Sequence, residues 1–407
     1  MLKLGRYDLA AFGTFFCYSG CSFAIPVVMV ELARDLGFPL TEGGLGAGGL
    51  LHVARSSTML AAMLGCGFVA GRIGKRRTLV AALLLMGCGI MLAALTRSYL
   101  PLMALVLFSG MGEGMIEGIG TPFVQCLHPE ESGRYVNIAH SFWSVGTFCC
   151  VLGIGALLQH GTDWRILVGA TGALSLIPAL LLLLPSRRPY PEEPVRPRGT
   201  DVWRNSVEIA KSPRFWLFFA GMFFGGGMEF CLTFWAASFV RLEFAAGAWA
   251  GGVGTAAIAA GMFAGRMLAA MLVRQKYLWH ALLACALLGV PVLGGIFALE
   301  AGHLWLLFAL LFAGGISVGP FWPTFQVYCT ERMPHLDPTL IFIYLSCAGI
   351  PGCGFFTWLM GFAGDRFGLR RAFLIEPGTL VLVIAILLVE RLWPRRREPG
   401  AFRKSSS

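Results

Sequence analysis

Six ionisable side chains of this sequence lie inside long apolar stretches, where charge is expensive. A charged residue at the centre of a helix in hydrocarbon costs about 3 kcal/mol on insertion scales. Such side chains are therefore expected to face a partner or a polar cavity, and they are the first candidates for function. They are His52, Arg55, Glu113, Glu117, His140 and Glu229.

Two of these carboxyl groups stand four residues apart and so share one helix face. Glu113 and Glu117 cannot both ionise cheaply in a low-dielectric site, so one is expected to hold a proton. A carboxyl group of this kind can load and release a proton. Glu113 has a second interpretation, an ion pair with Arg55. If Glu113 does not neutralise Arg55, the guanidinium is suited to an anionic solute.

Further candidates combine polar and aromatic chemistry. His140 offers two ring nitrogens and titrates near neutral pH, which suits a sugar hydroxyl or a proton. Tryptophan rings can stack on a sugar face, although in membrane helices they more often serve packing. Two arginines at helix ends are expected to act in gating. The binding or coupling candidates added here are Asn137, Trp143 and Trp235, and the gating candidates are Arg72 and Arg266.

The composition predicts a membrane protein. Of 407 residues, 57% are hydrophobic and only 13% are charged, about half the charged share of a soluble domain. The mean hydropathy is +0.72. The formal net charge of +10 comes from Lys and Arg gathered between apolar runs, as the positive-inside rule predicts, so nucleic acid is not expected as a partner. The cysteines lie mostly inside apolar runs and are expected to be free thiols.

Twelve apolar stretches are long enough to cross a bilayer, which needs about 20 residues. Counting cations in the loops places both termini in the cytoplasm. Arg366, Arg370 and Arg371 are the exception, because they fall on the opposite side. The expected spans are 8–32, 44–71, 77–96, 100–127, 134–159, 163–184, 213–240, 244–273, 278–299, 303–330, 338–362 and 371–392.

A proline-rich polar segment divides these spans six and six. We expect an N-terminal bundle over 1–184, a cytoplasmic linker over 185–212, a C-terminal bundle over 213–394 and a cytoplasmic tail over 395–407. The two bundles share a G-x-x-A-G-R string, at Gly67–Arg72 and at Gly261–Arg266. Internal repeats with a site between them are typical of secondary transporters.

The segment from Gly67 to Arg77 resembles the signature loop of the major facilitator superfamily, and the 6+6 layout extends this resemblance over the whole chain. The resemblance implies an all-α membrane fold of two six-helix bundles. The family usually has Asp where this chain has Gly71, and that Asp stabilises the outward-open state. Gly364–Gly368 resembles the same motif but follows the eleventh span, so it is not counted as the second copy.

Spans four and five carry a more specific pattern. Glu117 to Gln125, the run from His128 to Arg134, and Asn137 to Gly146 resemble the fucose permease branch, whose members are proton-coupled sugar symporters. Glu229 followed by Trp235 resembles the E-x5-W of that group. The chain departs from the branch in three places. The first span has no acid, the family Asn is Thr121, and the family Gln is His140.

The resemblance therefore implies proton-coupled symport of a sugar or sugar derivative across the inner (plasma) membrane by a monomer working through alternating access. Two alternatives stay open: transport of an anionic solute bound by Arg55, and export of drugs or amphipathic metabolites. The sequence has no P-loop, H-E-x-x-H or G-x-S-x-G motif, so neither an enzyme nor an ATP-driven pump is expected, and no cofactor or metal is expected.

Overall fold

The computed structural model describes residues 4–128, 132–185, 190–191 and 199–392. Within these ranges it leaves undescribed the side chains at 132–134, 137, 199–202, 270, 275 and 338–339. The described residues are almost entirely helical, and no strand occurs among them. The expected tail and residues 186–189 and 192–198 of the expected linker lie outside the described residues, so the domain boundaries there stay a prediction.

The described residues form seventeen α-helices and two short 3-10 turns. The N-terminal set comprises α1 Arg6–Val27, α2 Met29–Asp35, α3 Leu45–Ile73, α4 Lys75–Ala93, α5 Tyr99–Leu127, α6 Ser132–Gln159, α7 Trp164–Leu174 and α8 Leu176–Leu183. The remaining helices are α9 Gly199–Ala210, α10 Pro213–Glu243, α11 Ala248–Leu272, α12 Leu278–Phe297, α13 Leu304–Val318, α14 Phe321–Arg332, α15 Pro338–Phe367, α16 Leu369–Ala372 and α17 Ile375–Leu392.

These helices supply twelve segments that are long and apolar enough to cross a membrane, which confirms the predicted fold class. Three of the segments consist of two helices each. α7 and α8 meet at Ser175, whose hydroxyl donates to the Gly172 carbonyl at 2.7 Å. α13 and α14 meet at Gly319 and Pro320, where the missing proline N–H interrupts the helix. α16 and α17 form the last segment.

Two helix connections are reduced to a single glycine. Gly74 joins α3 to α4 with φ 84° and ψ 152°, and Gly368 joins α15 to α16 with φ 86° and ψ 146°. A positive φ of this size favours glycine, because a Cβ would clash with the backbone. The two segments that resemble the signature loop in sequence therefore each contain a glycine with the same backbone conformation.

Two of the three cations that break the charge rule, Arg366 and Arg370, have local partners. The Arg370 Nε donates to Glu243 Oε2 at 3.2 Å, and its guanidinium also donates to the Leu299 carbonyl. Arg366 lies over the Phe362 ring at 4.2 Å. A miscounted span is not needed to explain their position, since the structure keeps the count at twelve.

The helices α1–α8 and α10–α17, here called the two halves, meet closely at one end. α3 packs along α15, and α6 packs along α11. Glycines permit the close approach: a Cβ on Gly49 would lie 2.7 Å from the Trp358 Cα, and one on Gly155 would lie 3.1 Å from the Gly252 Cα. We call this end, which holds the α3 N-terminus, the closed end.

Polar contacts also join the halves at the closed end. Gly44 precedes α3 and offers no side-chain cap. Asp365 at the end of α15 supplies one instead, since it accepts from the Leu45 N–H at 2.8 Å and from the Gly46 N–H at 2.6 Å. An ion pair between Glu31 and Arg241 lies at the same end.

At the opposite, open end, α3 loses this packing. Phe68 is 69% exposed, and a Cβ on Gly65, Gly67 or Gly71 would meet no atom within 4 Å. These positions are spread around the helix, so α3 stands free on several sides here. The two halves therefore enclose a space between them that opens away from the α3 N-terminus.

We predict that Asp365→Ala loosens the closed end. The substitution removes the acceptor for two α3 amides that belong to the other half, and loss of a helix cap costs about 0.5–2 kcal/mol. Exchange of the Leu45 and Gly46 amides with deuterium should accelerate roughly 2- to 30-fold, the factor that corresponds to this cost. Hydrogen-exchange mass spectrometry measures the change.

The matched control is Asp163→Ala, which removes a cap within one half. Asp163 accepts from the Arg165 N–H at 2.8 Å and should affect α7 alone. Equal exchange of the two α3 amides in wild type and Asp365→Ala would show that the cap contributes nothing to closure.

Candidate functional site

Arg55 and Glu113 form a buried ion pair within the N-terminal half. The Arg55 Nε lies 3.5 Å from Glu113 Oε2, and the two side chains are 8% and 0% exposed. The Arg55 Nη1 also donates to the Ser22 carbonyl at 2.8 Å. Glu113 accepts from the Ser22 hydroxyl at 3.1 Å and from the Ser109 hydroxyl at 3.3 Å. The pair thus joins α1, α3 and α5.

An aromatic side chain from the other half covers this pair. The Phe230 ring of α10 stacks on His52 with centroids 4.1 Å apart and lies 5.2 Å from the Arg55 guanidinium. It also stacks on Phe23 of α1 at 5.4 Å. His52 approaches the Ser56 hydroxyl at 3.3 Å. Stacking and cation–π contact therefore link the two halves at the centre.

Glu117 lies one turn from Glu113 towards the open end and is half-buried. Its polar neighbour is Tyr18 of α1, and no cation pairs with it among the described residues. One further turn along α5, the Thr121 hydroxyl hydrogen-bonds to the His140 Nε2 at 2.8 Å. The His140 side chain is exposed. α5 therefore carries polar groups from the buried pair to an accessible surface.

The C-terminal half carries a second ion pair. Glu229 Oε1 lies 2.6 Å from the Arg266 Nη2, with the two side chains 13% and 30% exposed. The Arg266 Nε donates to the Gly319 carbonyl at 2.9 Å. Across the gap between the halves, Trp143 of α6 lies 6.0 Å from this guanidinium. The gating role expected for Arg266 stays a prediction, but its partner is an acid of the candidate site.

The remaining sequence candidates are placed differently. Trp235 is fully buried, and its indole N–H donates to the Thr357 carbonyl at 2.9 Å. Its ring packs against Gly48 and Gly361 at the closed end in this conformation, and the expectation that it stacks on a solute stays a prediction. Arg72 is exposed at the open end and lies 4.5 Å over Phe68. The Asn137 side chain lies outside the described residues.

Sequence reasoning did not identify several members of the cluster. Ser22, Ser109, Phe230 and Tyr18 all contact the ionisable groups. Small polar residues and aromatics are ordinary in membrane helices, so their types gave no signal. A usable signal was the helix spacing from Ser109 to Glu113, which puts both on one face.

These features define the class of protein. Twelve segments are long and apolar enough to cross a membrane, and two ion pairs lie where the two halves meet, the place where secondary transporters built from repeats bind their solutes. The family model described as Major Facilitator Superfamily matches residues 10–356. The chain belongs to this superfamily.

Solved structures show the same fold at low sequence identity. A bacterial homolog of the human lysosomal transporter Spinster, inward-facing and occupied, matches with TM-score 0.74 and 15% identity over 95% of this chain and 96% of that one. The D-xylose-proton symporter matches with TM-score 0.74 and 14% identity over 94% and 96%. The nucleoside transporter NupG matches with TM-score 0.73 and 13% identity over 96% and 99%. No curated protein matches the chain.

We predict that Arg55 and Glu113 stabilise the fold only as a pair. Glu113→Gln leaves a guanidinium buried that cannot lose its proton, and breaking a buried pair costs about 3–5 kcal/mol. The double variant Arg55→Met/Glu113→Gln removes both charges and should recover most of this loss. Thermal unfolding of the purified protein in detergent measures the change.

Arg72→Met is the control, since that exposed side chain should contribute less than about 0.5 kcal/mol. If the double variant loses the sum of the two single losses, the residues are not energetically coupled.

Proposed function

We propose that this transporter couples the movement of a proton to that of an uncharged polar solute, such as a sugar, in the same direction. The single observation that carries the proposal is that both site arginines are already neutralised. Arg55 pairs with Glu113 and Arg266 pairs with Glu229, while Glu117 has no cationic partner among the described residues.

This charge balance argues against the anionic alternative. A carboxylate or phosphate solute needs a cation that is free to bind it bidentately. Displacing Glu113 from Arg55 would leave a buried carboxylate uncompensated, which costs several kcal/mol. An uncharged solute avoids this cost, because it can bind without breaking either pair.

The groups that border the space between the halves suit a polyhydroxylated solute. His140 is accessible and offers a ring nitrogen, and Trp143 is half-buried and offers a ring face. Hydroxyl groups can bond to the imidazole or to Glu117, while the apolar face of a sugar ring packs on the indole. The resemblance of spans four and five to the fucose permease branch supports the same solute class.

Glu117 is the proposed coupling group. A carboxyl near the accessible surface can take up a proton from water and release it when the halves change sides. Glu113, one turn away, stays neutralised by Arg55. With both termini in the cytoplasm, as the loop cations predict, the open end faces inward and the structure is the inward-facing state of an alternating-access cycle.

The coupling role is tested in proteoliposomes with an imposed pH gradient. We expect Glu117→Gln to lower gradient-driven sugar uptake at least 10-fold while leaving exchange of labelled for unlabelled sugar intact, because exchange needs no net proton movement. Glu42→Gln, an exposed acid, is the control and should transport normally. Gradient-driven uptake that is unchanged in Glu117→Gln contradicts the coupling role.

The solute class is tested by a thermal-shift screen of the purified protein. We expect neutral sugars to raise the melting temperature and acidic sugars and organic acids to leave it unchanged. Stabilisation by carboxylates that disappears in Arg55→Ala would instead favour the anionic alternative. Stabilisation only by amphipathic drugs would favour an exporter.

A further inference from the structure

Glu376 is a buried carboxyl group that the candidate site does not use. It lies in the first turn of α17 and is 1% exposed. Neither of its carboxyl oxygens meets hydrogen-bond geometry with a described residue, and the polar group nearest to it is a thiol, which is a weak donor. The Cys231 thiol of α10 lies beside it, but that thiol donates to the Phe356 carbonyl at 3.3 Å. The carboxyl group therefore sits in surroundings that do not solvate a negative charge.

The other fully buried acids of the described chain have cations. Glu113 pairs with Arg55, and Glu390 lies 2.6 Å from the Arg332 Nε. No ion pair reaches Glu376 in the part of the chain that the structure describes. An ionised carboxylate without a partner costs several kcal/mol when it is removed from water, so such a group keeps its proton instead.

A metal cation is a poor alternative occupant. Hard cations take several oxygen ligands, whereas the Cys231 thiol beside Glu376 also contacts the Met360 sulfur at 3.7 Å. No cluster of three or more metal-ligating side chains occurs among the described residues. The chemistry of these neighbours leaves the proton as the ligand that Glu376 can hold.

Glu376 is also connected to the candidate site through one turn of α10. Three consecutive residues of that turn contact three different partners. Glu229 pairs with Arg266, Phe230 covers His52 of the other half, and Cys231 lies against Glu376. A movement of α10 that uncovers His52 therefore also moves Cys231, the side chain that lies against Glu376.

We propose that Glu376 is a second proton-binding site, which holds a proton in this conformation and exchanges it when the closed end opens. α17 begins just after the α15–α16 connection at the closed end, so separation of the halves there brings water towards its first turn. The exchange step rests on the alternating access of the proposed function. The held proton does not, since it follows from the burial alone.

The held proton is tested by infrared spectroscopy of the full-length protein in lipid nanodiscs at neutral pH. A protonated carboxyl group has its own carbonyl-stretch absorption. We expect Glu376→Gln to lose the absorption of one such group and to keep wild-type thermal stability, because one neutral group replaces another of the same shape. Glu390→Gln is the matched control: it should keep this absorption and lose stability, because it breaks an ion pair.

If Glu376→Gln leaves the absorption unchanged, or destabilises the protein as much as Glu390→Gln does, the carboxyl group is ionised and the proposal fails. Neither result depends on transport. The coupling role of Glu117 and the protonation of Glu376 are thus tested separately, and either proposal can fail without the other.

The exchange is tested with Gly155→Trp. A Cβ at Gly155 already lies 3.1 Å from the Gly252 Cα, so an indole there holds the closed end apart. In this variant the Glu376 absorption should shift in heavy water and disappear at alkaline pH faster than in wild type, which opens this end only transiently. An absorption that persists equally in both proteins shows a fixed structural proton and overturns the exchange.

Discussion

The energetic cost of charge in hydrocarbon organises this molecule. Each arginine at the centre is matched by an acid of its own half, Arg55 by Glu113 and Arg266 by Glu229. Because neither pair crosses between the halves, the halves can move apart without exposing an uncompensated charge. The contacts that do cross at the centre are made by aromatic rings, such as Phe230 on His52, and such contacts tolerate sliding better than directional ion pairs.

The cross-half polar contacts lie at the closed end instead. Asp365 caps α3 there, and Arg241 pairs with Glu31. Both acids are at least partly accessible to water, so separation of the halves exchanges a protein partner for solvent and costs little more than an exposed contact is worth. The ion pairs of the central site are thus made within a half, and the polar contacts between the halves lie at the closed end, an arrangement suited to repeated opening.

The sequence predicted the fold well, because hydropathy and span length need no tertiary information. It also identified Arg55 and Glu113 as buried ionisable residues and offered their ion pair as one interpretation. It could not give the side-chain directions that depend on packing between helices. Trp235 has the spacing of a binding residue but points into the α3–α15 contact. The burial of Glu376 could not be predicted either, because it depends on how α10, α15 and α17 pack around it.

The residues Gly71 and Asp365, in the two segments that resemble the signature loop, bear on which end of the protein is closed. At the open end Gly71 stands where the resembling family has an acid, so this chain has no carboxylate at that position to hold the outward-open state. At the closed end Asp365, in the segment that echoes the same motif, caps α3 of the other half. A solute or proton can reverse this preference only by as much as it binds the opposite state more tightly. In the proposed coupling, the groups that meet solute and proton change their surroundings when the closed end opens, and the α10 turn from Glu229 to Cys231 links the central site to that change.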